Sequence, residues 1–238
     1  MRRLRGGCWR SWQTWAVPIW SARWTACRVV CSLPPVADAP VTEALVLRLV
    51  HGGHGAAQVL GPLDLRLATG ETVAICGPSG VGKTTLLRIL AGLHRDWRGE
   101  LTLPGRLAMV FQEPVLLPWR NALDNITLAT RCDPASARAA LARVGLADKA
   151  MALPGELSLG QQRRLALARA FAAQPDVLLM DEPFVSLDPA LTDDMMALLE
   201  AERARRPMAT ILVTHAPAEA ARLADRLLRL EGSPARFA

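Results

Sequence analysis

Nowhere in the 238 residues does an apolar run reach the roughly 18 residues that a membrane-crossing helix needs, so no span is expected. Cysteines are few and scattered. Cys8, Cys27 and Cys31 lie in the first segment, Cys76 and Cys132 far from them and from each other. No pair has metal-ligand spacing, and a reducing cytoplasm is the simplest reading of the odd count of five. A basic face is missing too. The formal charge is +6, but Arg2, Arg3, Arg5, Arg10, Arg23 and Arg28 precede the first acid, Asp38, and leave 22 basic against 22 acidic residues behind them. A basic groove across the folded part is not supported, so no nucleic acid is expected as a partner. No internal repeat is present.

The first forty residues differ from the rest. They hold five of the seven tryptophans, Trp9, Trp12, Trp15, Trp20 and Trp24, with Pro18 and the arginines breaking every apolar stretch. A signal peptide would need a cleaner apolar centre and a small-residue cleavage site. A basic, Trp-rich membrane-surface segment is one reading. The plainer one is favoured, because the apolar residues keep no period: residues 1–40 are an extension that is disordered or not native, and could be upstream sequence read from an early start codon. Regular structure is expected from near Thr42, in one large domain or a core with a small insertion.

From Leu45 to Leu67 the chain reads as short strands around the turn His51-Gly52-Gly53-His54-Gly55. A strand follows at Thr72–Cys76, then a Gly-rich turn and a helix ending near Gly92. Leu107–Phe111 is a further strand. Residues 121–160 change to alanine, leucine and arginine at helical spacing, which reads as a helical insertion. Then come a helix over Gln161–Ala173, an apolar strand over Val177–Met180, a helix over Leu191–Arg205, a strand over Thr210–Thr214 and a last helix over Ala218–Leu228. Strands alternating with helices predict an α/β fold with a largely parallel sheet covered on both faces.

The turn is Gly77-Pro78-Ser79-Gly80-Val81-Gly82-Lys83-Thr84-Thr85. A turn alone needs neither three glycines nor a lysine and two threonines at its exit. The spacing is that of a phosphate-binding P-loop. Glycines let the backbone curl and aim N–H groups at an anion, and the next helix begins with its positive end there. Lys83 adds charge for the β- and γ-phosphates, and the Thr84 hydroxyl is a hard ligand for Mg²⁺. The alternative, a plain strand-to-helix turn, explains fewer of these residues.

The strand Val177–Met180 runs into Asp181 and Glu182 at the carboxyl edge of the sheet, where ligands of such sheets bind. One acid can hold Mg²⁺ through water and the other can orient or deprotonate an attacking water. Alone, such a pair is a solvated strand end; beside a P-loop it reads as catalytic. In Leu157-Ser158-Leu159-Gly160-Gln161-Gln162-Arg163-Arg164, Ser158 and Gln161 form a capping box. A helix start of this kind is also an anion site, and a chain with its own phosphate loop has use for a second only if it serves a neighbour.

Taken together, these segments resemble the ATP-binding subunits of ABC transporters, over roughly Leu45 to Leu230. GPSGVGKTT resembles Walker A, Phe111-Gln112 the Q-loop, LSLGQ the signature LSGGQ, and VLLMDEP Walker B. Ser186-Leu187-Asp188 is similar to the D-loop, and Thr214-His215 to the switch histidine. The resemblance implies a P-loop NTPase of RecA-like type with a mostly parallel sheet, a small antiparallel β region and an inserted helical subdomain. Its core would be 41–112 and 161–238, with the helical subdomain at about 113–160. It implies ATP and Mg²⁺ as cofactors. Gly77, Pro78, Ser79, Gly80, Val81, Gly82, Lys83, Thr84 and Thr85 would surround the phosphates. Thr84, Gln112 and Asp181 would serve the metal. Glu182, His215 and Gln112 would be catalytic, with Asp188 reporting across a dimer. Ser158, Gly160 and Gln161 would close on ATP held by a second copy. Further partners would be membrane-embedded permease subunits and, through them, a periplasmic or extracellular solute-binding protein. The location would be the cytoplasmic face of the plasma membrane.

Departures accompany the likeness. Leu159 stands where the family has a second signature glycine, and Ala216 where it often has Asp. No tyrosine exists to stack on adenine; His54 lies about where that ring belongs, or is a loop histidine among glycines. The stretch between Gly92 and Phe111 is short. Phe111-Gln112-Glu113-Pro114-Val115-Leu116-Leu117-Pro118-Trp119-Arg120 resembles importers of nitrate, sulfonates and taurine, whose Leu-Leu-Pro-Trp segment would lie near the permease; ordinary loop packing is the alternative. The extra regulatory domain of sugar-importer relatives is not expected. A non-transport ABC ATPase acting on DNA or ribosomes remains the rival. It predicts a long coiled-coil insert, a second ATPase domain or a basic face, and none is found. An adaptor without turnover is opposed by Lys83, Asp181, Glu182 and His215.

Overall fold

The computed structural model describes residues 43–55 and 57–238, without the side chain of His54. The extension at 1–40 and the expected start near Thr42 lie outside these residues.

Five strands form a parallel unit: β4 (Thr72–Cys76), β6 (Leu107–Val110), β7 (Val177–Asp181), β8 (Ala209–Val213) and β9 (Arg226–Gly232), in the order β9-β4-β8-β7-β6. Every residue of β7 and β8 is buried, as expected of strands covered on both faces. Val177 and Leu179 face one core and Leu178 and Met180 the other, which follows from the two-residue period of a strand.

The first core lies under the antiparallel strands β1 (Glu43–His54), β2 (Ala57–Leu60), β3 (Leu63–Ala68) and β5 (Trp97–Thr102). Leu63, Leu65 and Leu67 alternate inward along β3, opposite Leu45, Leu47 and Leu49 of β1. Helix α1 (Lys83–Leu90) is wedged into this core through Leu86, Leu87, Ile89 and Leu90, which fixes the loop before it. A short strand β10 (Ala235–Phe237) joins β9 to β2.

Helices α2 (Ala122–Thr130) and α3 (Pro134–Arg143) bury Ile126, Ala137, Ala140 and Leu141 in a core of their own. Helix α4 (Leu159–Ala172) belongs to both sides. Its Leu165 and Ala168 join that core, while Leu167, Ala170 and Phe171 pack on the parallel sheet with α5 (Pro189–Arg205).

The last helix and the strands β5, β9 and β10 differ from the sequence expectation. The last helix, α6 (Pro217–Leu223), stops five residues before Leu228, and residues 226–228 belong to β9. Asp225 breaks the helix. Its N–H donates to the Thr72 carbonyl and its carboxylate accepts from the Thr72 N–H, both at 2.8 Å, which locks the chain beside β4. Strand β5 was not expected, because Trp97-Arg98-Gly99-Glu100 has little strand character; pairing with β1 imposes it.

Candidate active site

Between the last residue of β4 and the first of α1, Gly77, Gly80 and Gly82 adopt φ of 156°, 77° and 113°. At Gly77 a Cβ would lie 2.4 Å from the Leu230 carbonyl oxygen of β9, so only glycine passes there. Helix α1 has neither a side-chain cap nor an acid in its first turn, which leaves its leading N–H groups available to an anion. Lys83 is buried, and its Nζ donates to the carbonyls of Gly77 at 2.9 Å and Pro78 at 3.0 Å. The loop is thereby curled around an ammonium.

The next residue reaches the second strand. Thr84 Oγ1 donates to Asp181 Oδ1 at 3.3 Å. Asp181 is buried at the end of β7, and burial pushes its carboxyl above the ordinary value, with the neighbouring Glu182 charge adding. The Thr84 bond and the positive charges of Arg88 and Lys83 oppose the rise. Glu182 then turns sharply, at φ 45°, while its N–H donates to the Val213 carbonyl at 3.0 Å. That turn brings Glu182 Oε2 to 3.5 Å from Nδ1 of His215, whose ring is mostly exposed. Four elements thus converge: the P-loop, the start of α1, the end of β7 and the residues after β8. A buried cation, two hard oxygens and a partly exposed carboxylate are groups that phosphoryl transfer to water uses, and an imidazole stands beside them.

A second group lies elsewhere. Ser158, Gly160, Gln161 and Asp188 line a cleft of about 530 Å³ with Leu159, Arg164 and Ser186, and no P-loop residue lines it. Ser158 caps α4: its Oγ accepts from the Gln161 N–H at 3.3 Å, and the Gln161 Oε1 accepts from the Ser158 N–H at 2.9 Å. Leu159 is 49% exposed, so its side chain does not close the cleft from within. Asp188 caps α5 through the Leu191 N–H at 2.9 Å. Gln112 is exposed just beyond β6, at the same edge of the sheet as Asp181, and makes no hydrogen bond among the described residues. The backbone of His54 ends β1.

Four residues that matter to this geometry were missed in the sequence. Asn125 is fully buried; its amide donates to the carbonyls of Leu117, Arg120 and Asn121, and its oxygen accepts from the Leu117 N–H. Arg169 of α4 donates to the carbonyls of Val115 and Pro114. Together they set the shape of the loop that holds up Trp119, which is 71% exposed. Glu219 accepts the hydroxyl proton of buried Thr214, whose oxygen accepts in turn from the Ala216 N–H at 3.0 Å. This anchors residue 216 ahead of α6, whose start has no side-chain cap. Arg163 binds the Val185 carbonyl. An asparagine inside a helix, where its propensity is poor, was the one available signal.

Residues 60–185 match the model of the ABC transporter family. The chain belongs to that family. It is a P-loop ATPase of the α/β class, and ATP is its nucleotide. Residues 151–221 of this ABC ATPase also match a model of an AAA domain described for a type IV toxin–antitoxin system. Among curated proteins, the aliphatic sulfonates import ATP-binding protein of Mycobacterium sp. (strain MCS) is 49% identical over 193 residues, covering 78% of this chain and 79% of that one. One of the same name from Rhodococcus jostii (strain RHA1) is 47% identical over 199 residues, 80% and 81% of the two chains. A solved dimeric ATP-binding cassette in a post-hydrolysis state, bound to ADP and Pi, superposes with a TM-score of 0.73 at 28% identity, over 81% of this chain and 96% of that one. No helix among the described residues is long and apolar enough to cross a membrane.

Proposed function

We propose that this ABC ATPase works as a pair and powers uptake of an organic sulfonate through separate membrane subunits, with Mg²⁺ and ATP shared between the two copies. The observation that carries the reading is the unbroken line of contacts from Lys83 through Thr84 and Asp181 to Glu182 and His215.

In this reading the P-loop N–H groups and Lys83 bind the phosphates. Thr84 and Asp181 offer oxygens of the hardness that Mg²⁺ selects, and Gln112 completes the set from the neighbouring strand end. The metal, when bound, neutralises charge on the phosphates. Glu182 orients the attacking water, and His215 holds the γ-phosphate and steadies Glu182. Ser158, Gly160 and Gln161 close over the nucleotide of the second copy, with Asp188 beside them. Segment 113–160 forms the subdomain that meets the permease, through the loop clamped by Asn125 and Arg169. The assembly sits on the cytoplasmic face of the plasma membrane, and a solute-binding protein delivers the sulfonate from the other side.

The choice of sulfonate is supported by the names of the relatives at 47–49% identity. Reconstitution of the chain with its permease in vesicles tests it. Uptake of an alkanesulfonate, dependent on Mg²⁺ and ATP and accompanied by a rise in ATPase rate, is expected. Stimulation by nitrate but not by sulfonates would overturn the solute and leave transport standing. An ATPase rate indifferent to the permease would overturn transport.

A further inference from the structure

We propose that Arg163 is a positioning residue that ties the start of α4 to the loop 182–187, so that engagement of Ser158–Gln161 by a second copy's ATP is felt at this chain's own Glu182. The proposal rests on the shared-site reading above and adds its line of communication.

Arg163 is only 8% exposed and has no ion pair among the described residues. One guanidinium nitrogen donates to the Val185 carbonyl, while Nε is buried without a partner. Burial pushes its pKa down, the mark of a charge held where the charge is not welcome. For stability alone an apolar side chain would serve this position better, since a buried cation that lacks an anion is costly.

The loop it holds is short and tightly wound. The Val185 N–H donates to the Glu182 carbonyl and the Leu187 N–H to the Phe184 carbonyl, both at 3.3 Å. Glu182 and Ser186, at φ 45° and 59°, are both left-handed without being glycine. Such backbone persists only where its surroundings hold it. Arg163 grips the loop between them, at Val185.

Two further contacts make α4 and the start of α5 one block. At Gly160 a Cβ would lie 2.5 Å from Leu191 Cδ2, so the helices meet closely there and a larger residue would have to move the leucine. Arg164 pairs with Asp194 at 3.1 Å. Neither contact reaches the loop 182–187. Phe184 of the loop packs in the core with Leu167, Ala170 and Phe171 of α4, and Arg163 adds the directed hydrogen bond by which a shift of α4 on closing over a partner's ATP reaches the loop, at Val185, three residues from Glu182.

The test uses the full-length chain. ATP-driven pairing is followed by light scattering in a Glu182→Gln background, and turnover in the chain with Glu182 intact. Arg163→Met is expected to leave the ATP affinity of the single chain unchanged. It should raise the ATP concentration for half-maximal pairing about tenfold and lower kcat by a similar factor with KM little altered, the size of one charge-assisted hydrogen bond. Arg163→Lys, which keeps a donor, should recover much of both. Arg222→Met, which breaks a partly exposed ion pair with Glu200 away from the cleft, should move neither by more than about twofold, since such a pair contributes little. If Arg163→Met fails to fold, Arg163→Gln takes its place. Unchanged pairing and kcat in a folded variant would overturn the proposal, as would an equal loss in Arg222→Met. If Glu182→Gln alone shows no ATP-driven pairing, the shared site itself fails, and that failure is visible before Arg163 is touched.

Discussion

In the cluster at the carboxyl edge of β4, β7 and β8, the groups are already joined to one another. Lys83 holds the loop carbonyls, Thr84 meets Asp181, and Glu182 meets His215. In the cleft at the start of α4, Ser158, Gln161 and Asp188 bond only to their own helix starts, and the remaining surface is open to solvent. On the proposed reading, the first region does its chemistry with groups of one chain and the second takes ATP held by another. A substitution in the first should therefore act on a single chain, and one in the second only where two chains meet.

Glu182→Gln should have the largest effect. It keeps the size of the side chain and removes the carboxylate next to Asp181 and His215. Turnover is expected to fall about 100-fold or more, the contribution of a positioned base. ATP binding, measured by fluorescence titration of the single chain, should hardly change. Turnover within a few-fold of wild type would take Glu182 out of the chemistry.

Next come two substitutions that set the regions against each other. Lys83→Ala removes a buried charge from the phosphate loop and should weaken ATP binding by the single chain ten- to hundredfold. Ser158→Arg should leave that affinity intact and abolish ATP-driven pairing through bulk. If Ser158→Arg weakens binding by the single chain as much as Lys83→Ala does, the two regions are not separate sites and the contrast fails.

A smaller effect is expected from Ser158→Ala. It removes the Ser158–Gln161 cap and adds no bulk. The cost is about 1 kcal/mol, a fall in melting temperature of about 2–4 °C for a chain of this size. Calorimetry without nucleotide checks it. A larger loss would mean that Ser158 holds more than its own helix start.

The same contrast governs what could be read in the sequence. The P-loop, the acids after β7 and the capping box are local: each is a short string whose chemistry follows from its own spacing. The Gly77 position needed more. Its glycine is demanded by the Leu230 carbonyl, on a strand whose first residues the sequence assigned to a helix. The run Leu227-Leu228-Arg229-Leu230 fits either period, and only pairing with β4 decides it. Arg163, Asn125 and Glu219 were illegible for a related reason. Each acts on a backbone group or hydroxyl that nothing in its own neighbourhood marks as important. Helix α4 also blurs any boundary drawn at 160, because its two faces serve two cores.

The smallest effect, and the one with a sign worth working out, is expected from Asp181→Asn. Burial is the main cause that lifts the Asp181 carboxyl above its ordinary value of 3.8, and Glu182 adds to it. A folded chain that holds this proton more tightly than the unfolded chain loses stability as pH rises through the folded value. Below about pH 4 both states carry the proton and the loss is absent. Asparagine removes the charge and keeps an oxygen that can accept from Thr84. Without nucleotide, Asp181→Asn should therefore melt above the wild type near pH 8, and the gap should close as the pH is lowered toward 4. With Mg²⁺ and ATP the order should reverse, because only the carboxylate offers the metal a charged oxygen and ligand binding stabilises the folded state by mass action. Melting curves across that pH range, with and without Mg²⁺ and ATP, separate the two terms. If the variant melts lower than the wild type at pH 8 without ligand, Asp181 is held by its partners more than it is penalised by burial. The cluster at the sheet edge would then be stable on its own account rather than strained toward its ligand.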